Sequence, residues 1–142
     1  MPSPAVVLDT NVLVAAGFNR RSASARIVDA VKQGRLRMVW NDATRREIER
    51  IVQQIPSLRL PPVSELFRQE DRFTDATHPE RFGKIPDSDD RKFAALAWGA
   101  GAPLISNDQH LLAVREHLDL PVLTPTDFWQ VQLHANGPPR EE

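Results

Sequence analysis

Asp9 is the first residue that could do chemistry, because it stands alone between two apolar runs in the stretch AVVLDTNVLVAA. Burying an ionised carboxylate without a partner is very costly. Asp9 therefore either caps the element that follows it or holds something cationic. The Val-rich run before it, residues 5–8, predicts a buried strand, so Asp9 lies at the carboxyl end of that strand.

A second acid follows a second short apolar run in the same way. In the stretch PLISND, residues 103–106 predict a strand, and Asp108 comes just after it. In an open parallel sheet, functional sites form outside the carboxyl ends of the strands. We therefore expect Asp9 and Asp108 to lie at the same edge of the sheet.

Two glutamates on one predicted helix differ in which side of the helix they occupy. The apolar stripe of the helix predicted over residues 43–54 contains Ile48 and Ile51. At 100° per residue, Glu47 lies at the edge of this stripe, whereas Glu49 lies on the far side. We expect Glu47 to reach the strand ends and Glu49 to be solvated.

Three more acids open the helix predicted over residues 88–100 in the stretch PDSDD. Asp87 is the expected N-cap of this helix. Asp90 shares a stripe with Phe93 and therefore faces inward. The pattern does not decide whether Asp87 or Asp89 joins a site with Asp90.

Several carboxylates that converge on one point repel one another unless a cation neutralises them. An oxygen-only cluster suits a hard cation, Mg²⁺ or Mn²⁺, which holds phosphate oxygens and activates a bound water. The chain has no cysteine and no two histidines at metal-ligand spacing, which argues against zinc. It also has neither a glycine-rich phosphate loop nor a Gly-x-Ser-x-Gly nucleophile motif.

Each acid also has a simpler structural explanation. Asp9 and Asp108 could cap helices, Asp90 could complement a helix dipole, and Glu47 could be a solvated flank. The joint pattern favours a site, because two acids at strand ends and two on inward helix faces are not expected together by chance.

The elements that must position these acids alternate along the chain. Such alternation predicts an α/β fold with a central, mostly parallel sheet flanked by helices in a single domain. The predicted strands are 5–8, 36–40, 103–106 and 122–123. The predicted helices are 12–16, 22–33, 43–54, a weaker one over 61–72, 88–100, 111–117 and 125–133, with 73–84 as a loop. We expect a domain over residues 1–133 and a flexible tail over 134–142.

Composition narrows the class of protein. The chain has 142 residues, 41% apolar composition and no cysteine, which suits one domain with a hydrophobic core and excludes a disulfide scaffold. It contains neither a long uncharged apolar run nor a signal-peptide pattern, so we expect a cytoplasmic protein that does not enter a membrane.

Residues 1–50 carry nine Lys/Arg and five Asp/Glu, and residues 51–142 carry nine and fourteen. A basic half beside an acidic half is compatible with a polyanion near a metal-binding cluster.

Four segments, taken in order, resemble the PIN domain, in particular the ribonuclease toxins of toxin–antitoxin systems in that superfamily. They are VVLDTNVLVAA, TRREIERI around Glu47, DSDDRKFAALAWGAGAPLISNDQHLL and PVLTPTDFW, and the resemblance covers roughly residues 4–133. It implies a three-layer fold and an acidic quartet of Asp9, Glu47, Asp90 and Asp108, supported by Asn11 and Ser106. It further implies an RNA substrate, a small antitoxin partner and a homodimer.

The sequence therefore predicts a ribonuclease that hydrolyses phosphodiester bonds with Mg²⁺ or Mn²⁺. Asp9 and Asp108 would be direct ligands, Asp90 would complete the metal shell or bridge a second ion, and Glu47 would bind metal or orient the attacking water. Asn11 would hydrogen-bond a ligand carboxylate. The candidate phosphate contacts are Arg20, Arg21, Arg45 and Arg46, each of which could equally be an ordinary solvated side chain.

Two other readings remain open at this point. A haloacid-dehalogenase-type phosphatase also places an Asp after its first strand, but its second Asp is replaced here by Asn11, and Lys92 lies inside a predicted helix. A catalytically degenerate PIN fold that only binds RNA or protein is the non-enzyme alternative, and the presence of all four acids argues against it.

Overall fold

The structure is a computed structural model that describes residues 3–58 and 63–135, with side chains up to residue 131. Four strands form one sheet: β1 (Ala5–Leu8), β2 (Arg37–Met38), β3 (Leu104–Ile105) and β4 (Val122–Leu123). Within the described ranges the α-helices are α1 (Thr10–Phe18), α2 (Ala23–Lys32), α3 (Asp42–Gln53), α4 (Ser88–Ala100), α5 (Gln109–Ala113) and α6 (Pro125–Ala135). The prediction of an α/β fold with a parallel sheet is confirmed.

The order of the strands creates a crevice at the middle of the sheet. The order is β2-β1-β3-β4, and every neighbouring pair is parallel. The chain moves outward from β1 to β2 and returns to the other side of β1 with β3. Ligands of open α/β sheets bind at such a switch point, outside the carboxyl ends of the central strands. Here the residues that follow β1 and β3 meet there.

The central strands β1 and β3 are buried on both faces. This burial explains why their sequences are short apolar runs without polar alternation. Val6, Val7, Leu104 and Ile105 are fully buried. Helix α4 packs against β1 and β3 with an alanine-rich face, and α1 and α2 pack against each other. Gly101 ends α4 in the left-handed conformation with φ 68°, which favours glycine.

The segment after α3 differs from its prediction. The predicted helix over 61–72 is wrong: within the described part the segment forms two short 3-10 turns, Val63–Leu66 and Gln69–Asp71. Residues 59–62 lie outside the described residues. The backbone instead extends beside β2, where Trp40 and Arg72 form an isolated parallel bridge. Tertiary contacts with β2 override the weak local helical pattern.

Several predicted boundaries also move. The strand predicted over 36–40 is confined to Arg37–Met38, and α5 begins at Gln109 because Asp108 caps it. The helix predicted over 111–117 is α5 followed by a 3-10 turn, Arg115–His117, and the loop predicted over 73–84 contains a 3-10 turn at Pro79–Phe82. Helix α6 runs to Ala135, two residues past its predicted end, and residues 136–142, which make up most of the predicted tail, lie outside the described residues. Within the described ranges, no helix has the length and apolar character needed to cross a membrane.

Trp40 holds the segment after α3 against the sheet. Its backbone N–H donates to the Asp71 carbonyl at 3.3 Å, and its indole Nε1–H donates to the Arg68 carbonyl at 2.8 Å. Its ring meets Phe67 edge-to-face with the centroids 5.4 Å apart, and Arg45 lies over both rings. The buried Asp71 carboxylate accepts from Arg37 at 2.8 Å on the other side of the bridge.

We predict that Trp40→Ala lowers the free energy of unfolding by about 3–5 kcal/mol, because it deletes a buried aromatic ring and its neighbours close the space only partly. Trp98→Ala is the matched control. Trp98 is 39% exposed and its main contact is a stacked Arg81, so we expect a loss of about 1 kcal/mol or less. Urea denaturation of the two variants measures both values, and equal losses would contradict the anchoring role of Trp40.

Candidate active site

The acids that follow the two central strands do meet in one cleft. A cavity of ≈ 230 Å³ opens at the carboxyl end of the sheet. All four acids singled out as a quartet line it. Its full lining is Asp9, Thr10, Asn11, Glu47, Arg50, Ile51, Asp87, Asp89, Asp90, Phe93 and Asp108. Asp87 and Asp89 therefore both join the cleft, a point that the sequence left undecided.

Asp9 is the most deeply buried of these acids, with 2% exposure. It is the N-cap of α1, where its Oδ1 accepts from the Asn11 backbone N–H at 2.8 Å. Its Oδ2 accepts from the Ser106 hydroxyl at 2.5 Å. Burial nevertheless outweighs these hydrogen bonds and raises the pKa of Asp9 to about 6. Asp9 is thus a helix cap, and whether it also holds a cation stays a prediction.

Ser106 connects the ends of the two central strands. While its hydroxyl donates to Asp9, its Oγ accepts from the Asp108 backbone N–H at 3.0 Å. The serine is fully buried, so its orientation is fixed by these two bonds. The position of Asp9 is therefore tied to the start of the turn that carries Asp108. This is a supporting role of the kind that the resemblance implied for Ser106.

Asp108 is also a helix cap within the cleft. Its Oδ1 accepts from the backbone N–H groups of His110 at 2.8 Å and Leu111 at 3.4 Å, which begins α5. The side chain keeps 19% of its surface exposed, on the wall of the cavity. The structure does not force a choice between a cap and a ligand, because one carboxylate oxygen can cap while the other faces the cavity.

Asp90 brings a carboxylate from α4 to the same place. Burial, the neighbouring Asp108 carboxyl, Asp9 and Asp87 together raise the pKa of Asp90 to about 7, with burial the largest cause. Among the described residues, two buried side-chain oxygens have no hydrogen-bond partner, Asp90 Oδ2 and Thr10 Oγ1. Both residues line the cleft. Since buried polar atoms are nearly always satisfied, these two oxygens mark a place where a water or a bound ion would complete the hydrogen bonding.

Glu47 enters the cleft already paired with cations. Arg50 Nη2 lies 3.0 and 3.1 Å from its two oxygens, and Lys92 Nζ lies 3.5 Å from Oε1. The side chain of Glu47 is 12% exposed, compared with 38% for Glu49, which pairs with Arg45 outside the cleft. The helical phase therefore separates the two glutamates as expected, while the role of Glu47 stays a prediction.

The polar residues expected to assist differ in what they do. Asn11 hydrogen-bonds the Asp9 carboxylate through its backbone N–H, a helix-capping bond, while its supporting role in the site stays a prediction. None of Arg20, Arg21, Arg45 and Arg46 lines the cavity. Arg45 lies instead against Trp40 and Phe67. The role of these four arginines in binding RNA stays a prediction.

Sequence reasoning missed Arg50 as a cleft residue. Its position three residues after Glu47 places both on one helix face, so helical spacing could have found it. It also missed Thr10, whose hydroxyl is buried directly after Asp9. Only the tertiary structure reveals that this hydroxyl has no partner.

The donor set fits a hard divalent cation. Asp9, Asp90 and Asp108 surround one cavity, and among the described residues none of them forms an ion pair with Lys or Arg; Asp108 has only the exposed His110 at 3.8 Å. The unpartnered Asp90 oxygen and the oxygen-only chemistry both favour such an ion. Within the described ranges, no group of three acidic or histidine side chains is already arranged to hold one metal ion. A bound cation therefore requires small side-chain rotations.

We predict that the metal-free protein loses stability as the pH rises from 5 to 8. The pKa values of Asp9 and Asp90 are raised to about 6 and about 7 in the folded state. The folded protein therefore binds protons more tightly than the unfolded chain, and the resulting stability is complete below pH about 4 and disappears through pH 6–7. Thermal melting in EDTA should show Tm falling over this range.

Asp90→Asn should reduce this fall, because the amide neither titrates nor repels Asp9. Asp29→Asn, on the exposed face of α2, is the control and should keep the wild-type slope. A wild-type Tm that is constant or rises between pH 5 and 8 would contradict the raised pKa values.

Comparisons with known proteins agree with this architecture. The family model described as PIN domain matches residues 5–110. Among solved structures, FitAcB from Neisseria gonorrhoeae is similar at 16% identity with a TM-score of 0.51, over 85% of this chain and 98% of that chain. This likeness shows a common fold. The sequence matches none of the curated proteins with which it was compared. The match of the family model over most of the chain shows that the chain belongs to the PIN domain family.

Proposed function

We propose that this protein is a metal-dependent endoribonuclease that cleaves RNA phosphodiester bonds with Mg²⁺ or Mn²⁺. PIN domains are generally nucleases and typically use divalent metal ions. The observation that carries the proposal is the cleft itself. Three carboxylates without Lys or Arg partners, and the two unpartnered buried oxygens of the described residues, all line one cavity. Family membership removes the haloacid-dehalogenase alternative.

Asp9, Asp90 and Asp108 are the residues that would hold the ion. When bound, the cation supplies a water of lowered pKa and neutralises charge on the phosphate. The protein's own part is to fix the acids before the ion arrives. Ser106 orients Asp9 through its hydroxyl, and the α5 backbone orients Asp108 through its N–H groups. Acids that are already oriented by one hydrogen bond each have less reorganisation to undergo when the ion binds.

The substrate class follows from charge as well as from the family. The carboxylates of the cleft repel a polyanion, so a phosphodiester would bind there only together with cations that neutralise this repulsion. The cleft opens to solvent, since its lining includes exposed groups such as Asp89 and Arg50. We infer single-stranded RNA as the substrate, consistent with the resemblance to ribonuclease toxins.

The biological setting rests on that resemblance alone. We infer that the chain is the toxin of a toxin–antitoxin pair, acts in the cytoplasm, forms a homodimer and is inhibited by a small antitoxin. Light scattering after size-exclusion chromatography tests the dimer. Growth arrest on expression, relieved by co-expression of a small protein encoded beside the gene, tests the pair.

We predict that Asp9→Asn abolishes cleavage without unfolding the protein. Asparagine also caps helices well, so the start of α1 is retained. Replacing a buried carboxylate by an amide also removes the cost of burying charge, and therefore the Tm in EDTA should stay the same or rise. Cleavage of a labelled RNA with Mn²⁺, with Mg²⁺, with Ca²⁺ and in excess EDTA measures activity.

Mn²⁺ and Mg²⁺ should support cleavage by the wild type, and Ca²⁺ should support it poorly because its looser coordination positions a water less strictly. Wild-type cleavage rates in Asp9→Asn would show that Asp9 is not a catalytic residue. Undiminished cleavage by the wild type in excess EDTA would show that the reaction does not need a metal ion. RNA binding without cleavage under any of these conditions would favour the degenerate PIN module.

We predict that Asp108→Asn melts higher than the wild type in EDTA and gains much less Tm from Mn²⁺. The asparagine keeps the cap on α5 but no longer repels Asp90. A cation that binds only the folded form stabilises it by roughly 2.7 kcal/mol at about 100 times its dissociation constant. Thermal scans of both proteins with and without Mn²⁺ decide the point. An equal gain in both would make Asp108 a cap and not a ligand.

A further inference from the structure

Glu47 differs from the other acids of the cleft in its partners. Arg50 reaches both of its carboxylate oxygens from the same helix, and Lys92 reaches Oε1 from α4. One negative charge therefore faces two positive ones. This cluster of three residues, which we call the Glu47 cluster, carries a net charge of +1 beside an otherwise acidic cavity.

The Glu47 cluster is poorly suited to a metal ion. A divalent cation at Glu47 would lie beside two cationic groups whose nitrogens are 3.0–3.5 Å from the carboxylate oxygens. Like charges at such short range repel, and more strongly in a partly buried site than in water. The unpaired acids Asp9, Asp90 and Asp108 offer a better position for the ion.

The cluster is well suited to a phosphate. Arg50 uses only Nη2 on Glu47, so within the described part of the chain Nη1 and Nε are left to donate elsewhere. Its side chain is 53% exposed and lines the cavity. An arginine fork binds phosphate oxygens in two-point fashion, and a lysine binds them as a point charge. Arg50 lines the cavity itself, and Lys92 lies directly behind the lining, beside Glu47 and Asp89.

The main alternative is that the Glu47 cluster only stabilises the fold and does not bind substrate. An i,i+3 pair such as Glu47 and Arg50 is common on helix surfaces and worth only a few tenths of a kcal/mol. This reading does not account for Lys92, which comes from another helix and lies between Glu47 and Asp89, at 3.5 and 3.9 Å. Its side chain is only 26% exposed. The lysine is thus directed toward the cleft by two of its acids.

We propose that Arg50 and Lys92 bind a phosphate of the RNA next to the bond that is cleaved, and that Glu47 is a positioning residue that holds them. The proposal rests on the proposed ribonuclease function and assigns Glu47 to the substrate side of the cleft. It gives the acidic cleft a means of accepting a polyanion that the metal ion alone does not supply.

The first experiment separates binding of RNA from its cleavage. A fluorescein-labelled single-stranded RNA of mixed sequence is titrated by anisotropy in Ca²⁺, and its cleavage is measured in Mn²⁺. Arg50→Gln and Lys92→Gln should each raise KM and the anisotropy Kd about tenfold, the loss of one charge-assisted contact, and leave kcat within about twofold. The slope of log Kd against log salt should become shallower by about 0.7 per variant.

Matched controls lie on the exposed face and at the last turn of α2. Arg26→Gln and Lys32→Gln remove the same charges away from the cleft and should leave KM, Kd and the salt slope unchanged. If the controls weaken binding as much as the cleft variants, the effect is one of overall charge and the proposal fails.

The second experiment decides what Glu47 does. Titration calorimetry with Mn²⁺ should give a Kd for Glu47→Gln within about twofold of the wild type, whereas Asp90→Asn should weaken Mn²⁺ binding about tenfold or more. Glu47→Gln should raise KM, because its cations are released, and should add little to Lys92→Gln in the double variant, since both act through one contact. Glu49→Gln, on the other side of α3, should change nothing.

The possible results distinguish a failure of the phosphate-binding proposal from a failure of the proposed ribonuclease function. Weak Mn²⁺ binding by Glu47→Gln would make Glu47 a metal ligand and overturn the proposal. If Arg50→Gln and Lys92→Gln cleave RNA with an unchanged KM, the phosphate-binding proposal is wrong, but the proposed ribonuclease function is unaffected. Wild-type protein that binds RNA through these residues without cleaving it would refute the proposed function alone.

Discussion

The site depends on one buried hydrogen bond, from the Ser106 hydroxyl to the Asp9 carboxylate. It joins the residue after β1 to a residue after β3, which are 97 positions apart in the chain. Because Ser106 also accepts from the Asp108 backbone, the bond sets the spacing between two of the acids. The parallel pairing of β1 with β3 brings the partners together, and the bond then makes burial of the Asp9 charge tolerable.

The cleft divides its acids into two groups with opposite surroundings. Asp9 and Asp90 have raised pKa values because they are buried and near other acids. Glu47 has two cations on its carboxylate. A nuclease needs both environments, one that attracts a metal ion and one that attracts the phosphate backbone. In this fold α4 contributes to both, since Asp90 and Lys92 leave its first turns on different sides.

Three acids of the cleft are also structural caps. Asp9 begins α1, Asp87 begins α4 and Asp108 begins α5. A helix N-terminus stabilises negative charge and fixes the capping side chain, so the same bond that starts a helix holds a carboxylate at the strand ends. The repulsion among these acids is a cost in stability that capping offsets in part.

The sequence by itself determined the fold class and indicated four acids that line one cleft, whose role as a catalytic quartet stays a prediction. Short apolar runs between Pro and Asp specified β1 and β3, and helical phase separated Glu47 from Glu49, because both signals are local. The same local information failed over residues 61–72, where the described turns follow contacts with Trp40 and β2 rather than their own helical pattern.

Only the tertiary structure decided how the acids are partnered. The pairing of Glu47 with Arg50 and Lys92, the bridge through Ser106 and the unsatisfied oxygens of Thr10 and Asp90 join residues from different elements. Side-chain type and spacing predict which face a residue occupies. Burial and counter-charge depend on what packs against that face, and distant parts of the chain supply it.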